Sequence, residues 1–228
     1  MNIRFMNWLA NLICQDHIAN ERSFFVRSAP LRTRDEALHK RRKSEILSAA
    51  AKCFAAKGVH QTSMQEICDT AAISAGALYR YFESKEAIIV ALADEERAEN
   101  AELIAHLAAA DDIVDGMCEA VPEIIAVLGN EQYGRLAIEI GAEATRNPAI
   151  AEVFGRNESE LRGALVEALE RGQKRGAVDP ALDVQATVFL ILALFDGIPG
   201  RSIFAEEVPP RQVAETLERL LRKALRSA

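Results

Sequence analysis

The chain has 228 residues, half of them apolar, and carries 27 Lys and Arg against 34 Asp and Glu for a formal net charge of -7. That composition excludes a disordered chain, and the length allows one large domain or a small one joined to a medium one. The net charge argues against a polyanionic partner until the chain is divided. Residues 31–85 hold 10 basic against 6 acidic residues, whereas residues 86–228 hold 14 against 26. A basic module on an acidic body concentrates phosphate attraction in one place.

Residues 1–38 read as an N-terminal extension of uncertain role. Trp8, Leu9, Leu12 and Ile13 can share one face of a short helix or belong to a frayed tail. The opening run is broken by Asn7 and Asn11 and has no convincing small-residue cleavage site. The run His39-Lys40-Arg41-Arg42-Lys43 then places positive charge before a helix expected from about Arg42 to Lys57. Ile46, Leu47, Ala50, Cys53 and Phe54 form its apolar stripe, and Gly58 supplies a left-handed stop.

Thr62 or Ser63 can cap the next helix, with Gln65 or Glu66 reaching back as the partner of a capping box. Met64, Ile67, Cys68 and Ala71 make its inner face. Ala72-Ile73 is the turn, and Ser74 caps a third helix whose Leu78 and Phe82 face inward. Two short helices and a tight turn between Thr62 and Lys85 form a helix-turn-helix.

A reading helix needs small or short polar residues at its start, where it comes nearest the base edges. Ser74, Ala75, Gly76 and Ala77 meet that need: the hydroxyl suits a phosphate or base, and the alanines suit a thymine methyl. Gly76 sacrifices roughly 0.8–1.0 kcal/mol of helix propensity. That implies close approach to something, either DNA or the preceding helix. Tyr79 and Tyr81 can reach phosphates or be ordinary half-buried packing. Arg80 suits a guanine edge or a phosphate, and Lys85 a phosphate.

From Lys85 onward longer helices are expected over about Lys85–Ala109, Ile113–Leu128, Tyr133–Thr145, Pro148–Arg175, Leu182–Phe195 and Pro210–Arg226. Pro122 is expected to kink or divide its segment, and Pro148 fits a first turn. No strand alternation or repeat is found, so the fold class is all-α. The longest apolar run, Ala186 to Phe195, stops near ten residues, short of the roughly 18 that span a bilayer. The expectation is a cytoplasmic protein without a membrane partner.

The stretch Thr62–Lys85 closely resembles the DNA-binding signature of the TetR family of bacterial transcriptional regulators. The resemblance lies in Ile73-Ser74, Gly76, Leu78-Tyr79, Tyr81-Phe82 and Ser84-Lys85-Glu86, and extends upstream to Lys43–Lys57, Gly58 and Thr62. It implies a helix-turn-helix DNA-binding domain at 39–85 and a helical ligand-binding and dimerisation domain at 86–228. It also implies a homodimer on a palindromic double-stranded operator, usually a repressor, released by an inducer in the larger domain. Carried onto this sequence, Thr62, Ser63, Tyr79, Tyr81 and Lys85 correspond to phosphate contacts. Ser74, Ala75, Gly76, Ala77 and Arg80 correspond to base-facing positions. Ala75 departs from the longer or more polar residues common in that place, so it offers less base discrimination.

Family members dimerise through a four-helix bundle from the last helices. Here Phe189, Leu192, Phe195, Ile198, Leu217, Leu221 and Leu225 offer more apolar surface than closing two helices requires. The middle helices are expected to hold a small hydrophobic or amphipathic organic inducer, with His106, Met117, Tyr133, Glu139, Glu143 and Phe154 as candidate lining. Residues 142–148 resemble regulators of the branch that often controls multidrug efflux.

Cys14, Cys53, Cys68 and Cys118 form no C-x-x-C pair, and the four histidines have no metal-ligand spacing. Phosphate-binding, nucleophile-elbow, zincin and dinucleotide motifs are all missing, so neither an enzyme nor a cofactor is expected. A helical interaction or structural module without DNA affinity is the competing reading.

Overall fold

The computed structural model describes residues 31–204 and 208–227, so the expectations for Trp8, Leu9, Leu12 and Ile13 fall outside the described residues. Nine helices follow in order among the described residues: α1 (Leu31–Lys57), α2 (Met64–Thr70), α3 (Ala75–Leu78), α4 (Lys85–Ala109), α5 (Ile113–Leu128), α6 (Glu131–Ala144), α7 (Pro148–Arg175), α8 (Val184–Phe204) and α9 (Pro210–Leu225). No strand occurs among those residues, and the fold is all-α.

Local chemistry sets most boundaries. Ser63, Ser74, Ser84, Asp112, Asn130 and Asn147 cap six helices, each side chain accepting a backbone N–H of the first turn. Gly58 and Gly176 take left-handed φ angles of 83° and 77° just past α1 and α7. Three boundaries depart from expectation. α1 starts at Leu31 rather than near Arg42, and Leu38 to Arg42 are exposed, so no apolar stripe marks those turns. Arg41 and Arg42 both bond Glu45 there, the kind of i,i+3 and i,i+4 pairing that supports an exposed helix. Pro122 does not divide α5; its ring sits on an exposed position of the continuous helix. α8 runs past Phe195 through Pro199 to Phe204.

The core has two main parts. The first joins Ile46, Leu47, Ala50 and Phe54 of α1 to Ile67, Leu78, Phe82, Ile88 and Ile89, and also takes in Leu136 and Ile140 of α6 and Ile150 of α7. The second joins Val114, Met117, Val121 and Ile125 of α5 to Leu165 and Leu169 of α7, Val188 of α8, and Leu217, Leu221 and Leu225 of α9. α9 therefore lies on α5 of its own chain. Arg226 fixes it by holding Asp115 at 2.8 Å and Asp112 at 3.2 Å, and Arg222 pairs with Asp115 as well.

α8 packs on α6 and α7. Its stretch Val184–Arg201 has a mean hydropathy of 1.3 and is 17% buried, long and apolar enough by composition to cross a bilayer. That exceeds the expected ten-residue run because Asp196 and Gly197 lie inside one continuous helix.

Candidate nucleic-acid interface

Residues 62–85 are assembled by short-range bonds. Ser63 Oγ accepts from Glu66 N at 3.2 Å, and Ser63 N donates to Glu66 Oε2 at 2.8 Å, closing the expected capping box. Lys57, at the end of α1, pairs with the same carboxylate. That ammonium, then the Ser63 N–H, hold the Glu66 pKa down to about 2. After α2, Ala72 adopts φ 51° and Ile73 N donates back to Cys68 O at 3.0 Å, which turns the chain sharply. Ser74 Oγ then accepts from Ala77 N at 3.2 Å to start α3.

The regular part of α3 is only Ala75–Leu78, but helical turns continue to Phe82. Tyr79 N bonds Ala75 O, and Phe82 N bonds Leu78 O, each at 3.0 Å. Leu78 is fully buried and Phe82 nearly so. Ser74, Ala75, Gly76, Tyr79 and Arg80 are exposed, and Ala77 is half-buried. A Cβ built on Gly76 would meet nothing within 4 Å. Close packing against the preceding helix is thereby excluded as the reason for this glycine. The sequence has sealed one face of the helix and left the other open.

Three predicted phosphate contacts are placed differently from one another. Thr62 is 2% exposed, and its hydroxyl donates to Gly58 O at 2.8 Å and Cys53 O at 3.2 Å. Its expected phosphate role is corrected to that of an internal tie, since the side chain is closed inside the loop. Lys85 Nζ donates to Val59 O at 2.7 Å and His60 O at 3.2 Å, leaving one of its three N–H groups for another acceptor. Its first task is holding the loop after α1 to the start of α4. Tyr81 is half-buried, packs against the first core, and lies against the His39 ring at a centroid distance of 4.7 Å. Ser63 and Tyr79 are exposed, Tyr79 at 56%. The sequence places His39 in the basic run before the helix but carries no sign of its contact with Tyr81.

The six candidate ligand residues do not form one site. Met117 is sealed in the second core, and His106 Nε2 lies 3.1 Å from Gly116 O at the α4–α5 junction. Glu139 lies over Gly58, where an added Cβ would come within 2.8 Å of its Oε2, and Phe154 packs on the first core. These two belong to the junction between the reader and the body. Glu143 is half-buried. Tyr133 packs on an apolar wall of Leu103, Ala120, Ile124, Leu128, Phe195 and Ile198, where its phenol feels the charges of Glu96, Glu99 and Asp196.

The sequence reading did not single out Glu96 or Asn157. Asn157 of α7 is 5% exposed, and its amide donates to Ala93 O at 2.8 Å and to Glu96 Oε2 at 3.4 Å. Burial, assisted by Asp196, pushes the Glu96 carboxyl above its ordinary value. Asp196, exposed on α8, is raised by partial desolvation and then by Glu158, and the Tyr133 phenol by burial and then by Glu96, Glu99 and Asp196. Asn157 also lines a groove of about 390 Å³ between α4 and α7, with Arg97 and Glu160 paired across it at 2.7 Å. No three-residue group suited to a metal ion occurs among the described residues.

Of the expected dimer residues, Phe189 is 66% exposed, whereas Leu192, Phe195 and Ile198 are half-buried. Leu217, Leu221 and Leu225 are buried in the chain's own second core, which corrects their assignment to an outer surface. Among the described side chains of these helices, the large apolar ones left open are Phe189, Leu190, Leu194 and Leu220.

Similarity to known proteins follows the same division. The family model of bacterial regulatory proteins of the tetR family matches residues 46–92, and that of the BetI-type transcriptional repressor C-terminal region matches residues 126–226. The HTH-type transcriptional regulator UidR of Escherichia coli (strain K12) is 33% identical over 162 residues, covering 68% of this chain and 79% of UidR. The solved structure of Salmonella enterica GusR matches with a TM-score of 0.67 at 29% identity, over 81% of this chain and 95% of GusR. FadR from Bacillus subtilis, solved in complex with stearoyl-CoA, shares the fold with a TM-score of 0.68 at 17% identity, over 79% and 98% of the two chains. With its helix-turn-helix open to solvent and an all-helical body matched over its C-terminal half, this chain belongs to the TetR family of DNA-binding transcriptional regulators.

Proposed function

We propose that the chain represses transcription as a homodimer on a palindromic operator and is released by a small hydrophobic or amphipathic inducer. The observation that carries the DNA part is the open face of α3. Ser74, Ala75, Gly76, Tyr79 and Arg80 stand exposed over a sealed Leu78 and Phe82. A helix held in this way can enter the major groove without unfolding anything. Base edges would meet Ser74 to Ala77 and Arg80, while Ser63, Tyr79 and Tyr81 would meet phosphates.

Two copies must present their reading helices about one helical turn apart, roughly 34–36 Å. The exposed Phe189, Leu190 and Leu194 of α8 and Leu220 of α9 favour pairing through these helices. Asp196 in the middle of α8 would be costly in hydrocarbon, so a second copy suits this surface better than lipid.

For the inducer, the apolar wall against Tyr133, whose phenol feels the charges of Glu96 and Asp196, favours a molecule with an apolar body and a hydrogen-bond-donating end. Coupling runs through α6. Its Leu136 and Ile140 sit in the reader's core, and Glu139 overlies the end of α1. An inducer that shifts α6 would tilt α1 and the reader, provided it binds the two states unequally. A link to efflux rests on the likeness of residues 142–148 alone.

The test is selection of bound duplexes from a random-sequence library, then affinity measurement on the selected site. A palindrome with half-sites one turn apart is expected. Replacing Tyr79 and Arg80 together with Ala should weaken binding roughly 100-fold or more while leaving helical content unchanged. Unchanged affinity in that double variant would remove α3 as the reader.

A further inference from the structure

The first turns of α1 have no explanation in the fold. The helix starts at Leu31, and among its residues with a described burial the first buried one is Ile46. Leu38, His39, Lys40, Arg41 and Arg42 are all exposed, so more than one full turn, roughly 6 Å of helix, carries no buried side chain. The matched family segment begins only at residue 46. An exposed stretch of this kind gains little from packing beyond the contact of His39, and weakly packed helical segments are marginal.

Its chemistry is one-sided. Lys40, Arg41, Arg42 and Lys43 follow one another, against Glu36 and Glu45. Glu45 is held by Arg41 Nε at 3.0 Å and Arg42 Nη1 at 2.7 Å, and each guanidinium has five N–H groups, so one carboxylate does not exhaust them. The segment is also fixed relative to the reader, because His39 lies against Tyr81 just beyond α3. The basic turns are thus presented beside the reading helix on a rigid rod.

We propose that Lys40 to Lys43 form a second DNA contact, gripping phosphates that flank the half-site faced by α3. This rests on the reading that α3 docks in the major groove. A helix carrying adjacent cations suits phosphates rather than base edges, so the contact adds affinity and salt dependence without adding sequence preference. Each protomer would then cover more duplex than its half-site alone.

The test uses the full chain and a duplex it selects from a random-sequence library, made in two lengths: the palindrome alone, and the palindrome with about ten added base pairs on each side. The double substitution Lys40→Gln and Arg41→Gln changes exposed side chains only. On the long duplex it should lose roughly tenfold in affinity at low salt, and the slope of log affinity against log salt should fall by about 2. On the short duplex it should match the unsubstituted chain, and reselection should return the same consensus. Arg211→Gln on α9, which removes an exposed charge far along the chain, should change neither length. Equal affinity on both lengths, or an equal loss on both, overturns the flanking contact while α3 still reads its site. An unsubstituted chain that selects no duplex sinks the flanking contact and the docking of α3 together, and that result is distinct from the other two.

Discussion

Glu66 in α2 and Glu96 in α4 are both carboxylates of a helical protein, yet they stand in opposite settings. Glu66 is surrounded by donors: the Lys57 ammonium, the Ser63 N–H and the Ser63 hydroxyl hold it ionised. Glu96 is drawn inward, where burial and the nearby Asp196 favour its proton against the single amide of Asn157. The reader, then, satisfies its charges locally and keeps its outer face free for a partner. The body keeps a poorly solvated carboxyl in Glu96, a cost that fits the inducer site proposed above.

The two regions are nonetheless tied together, because the reader's core includes Leu136, Ile140 and Ile150 of the body. Truncating its largest sealed side chain, Phe54→Ala, should cost about 3–5 kcal/mol and melt the whole chain in one transition. Two separate calorimetric transitions would break the idea of a shared core. Thr62→Val sharpens the same contrast on a smaller scale. Losing a buried hydroxyl that serves two carbonyls should cost about 1–2 kcal/mol in denaturant, while the folded fraction keeps its DNA affinity. A selective loss of DNA binding would restore Thr62 to the interface.

At the turn, Ala72 holds a left-handed φ that an L side chain rarely adopts. Ala72→Gly should raise stability by up to about 1 kcal/mol, the relief of strain being partly offset by the entropy of glycine, and the midpoint of chemical unfolding would register it. A lower midpoint would show that the methyl makes a contact worth more than the strain.

The last contrast is one of sign. Glu66 has a lowered folded pKa, so its stabilisation is full above the ordinary carboxylate range and is lost as pH falls through about 2. The stability gap between the unsubstituted chain and Glu66→Gln should therefore close on acidification. Glu96 has a raised folded pKa, so its contribution is full below that range and is lost as pH rises through the folded value. Glu96→Gln should gain on the unsubstituted chain as pH rises. Denaturant titrations across pH would test both, and parallel curves for the two variants would erase the distinction between the regions.

Much of this was legible in the residues. Ser63 with Glu66, Ser74, Ser84 and Gly58 act within a few positions of themselves, so capping and left-handed stops fix the helix-turn-helix locally. The limits of α4 and α7 follow from Ser84, Pro148 and Gly176 in the same way. The early start of α1 was not legible, because the exposed stretch Leu38 to Arg42 leaves no apolar period to detect.

What the sequence determined, then, is everything decided across one or two turns: the helices, their caps, and the open start of the reading helix. Only the tertiary structure decided what each face meets. A leucine stripe on α9 announces burial but not its partner, and packing gave Leu217, Leu221 and Leu225 to α5 of the same chain while leaving Leu220 outside. Asn157 of α7 meets Ala93 and Glu96 of α4, 64 and 61 residues away, and no local rule joins them. Such contacts form because distant apolar faces close on each other and carry the polar groups along, so their neighbours are settled by packing rather than by spacing.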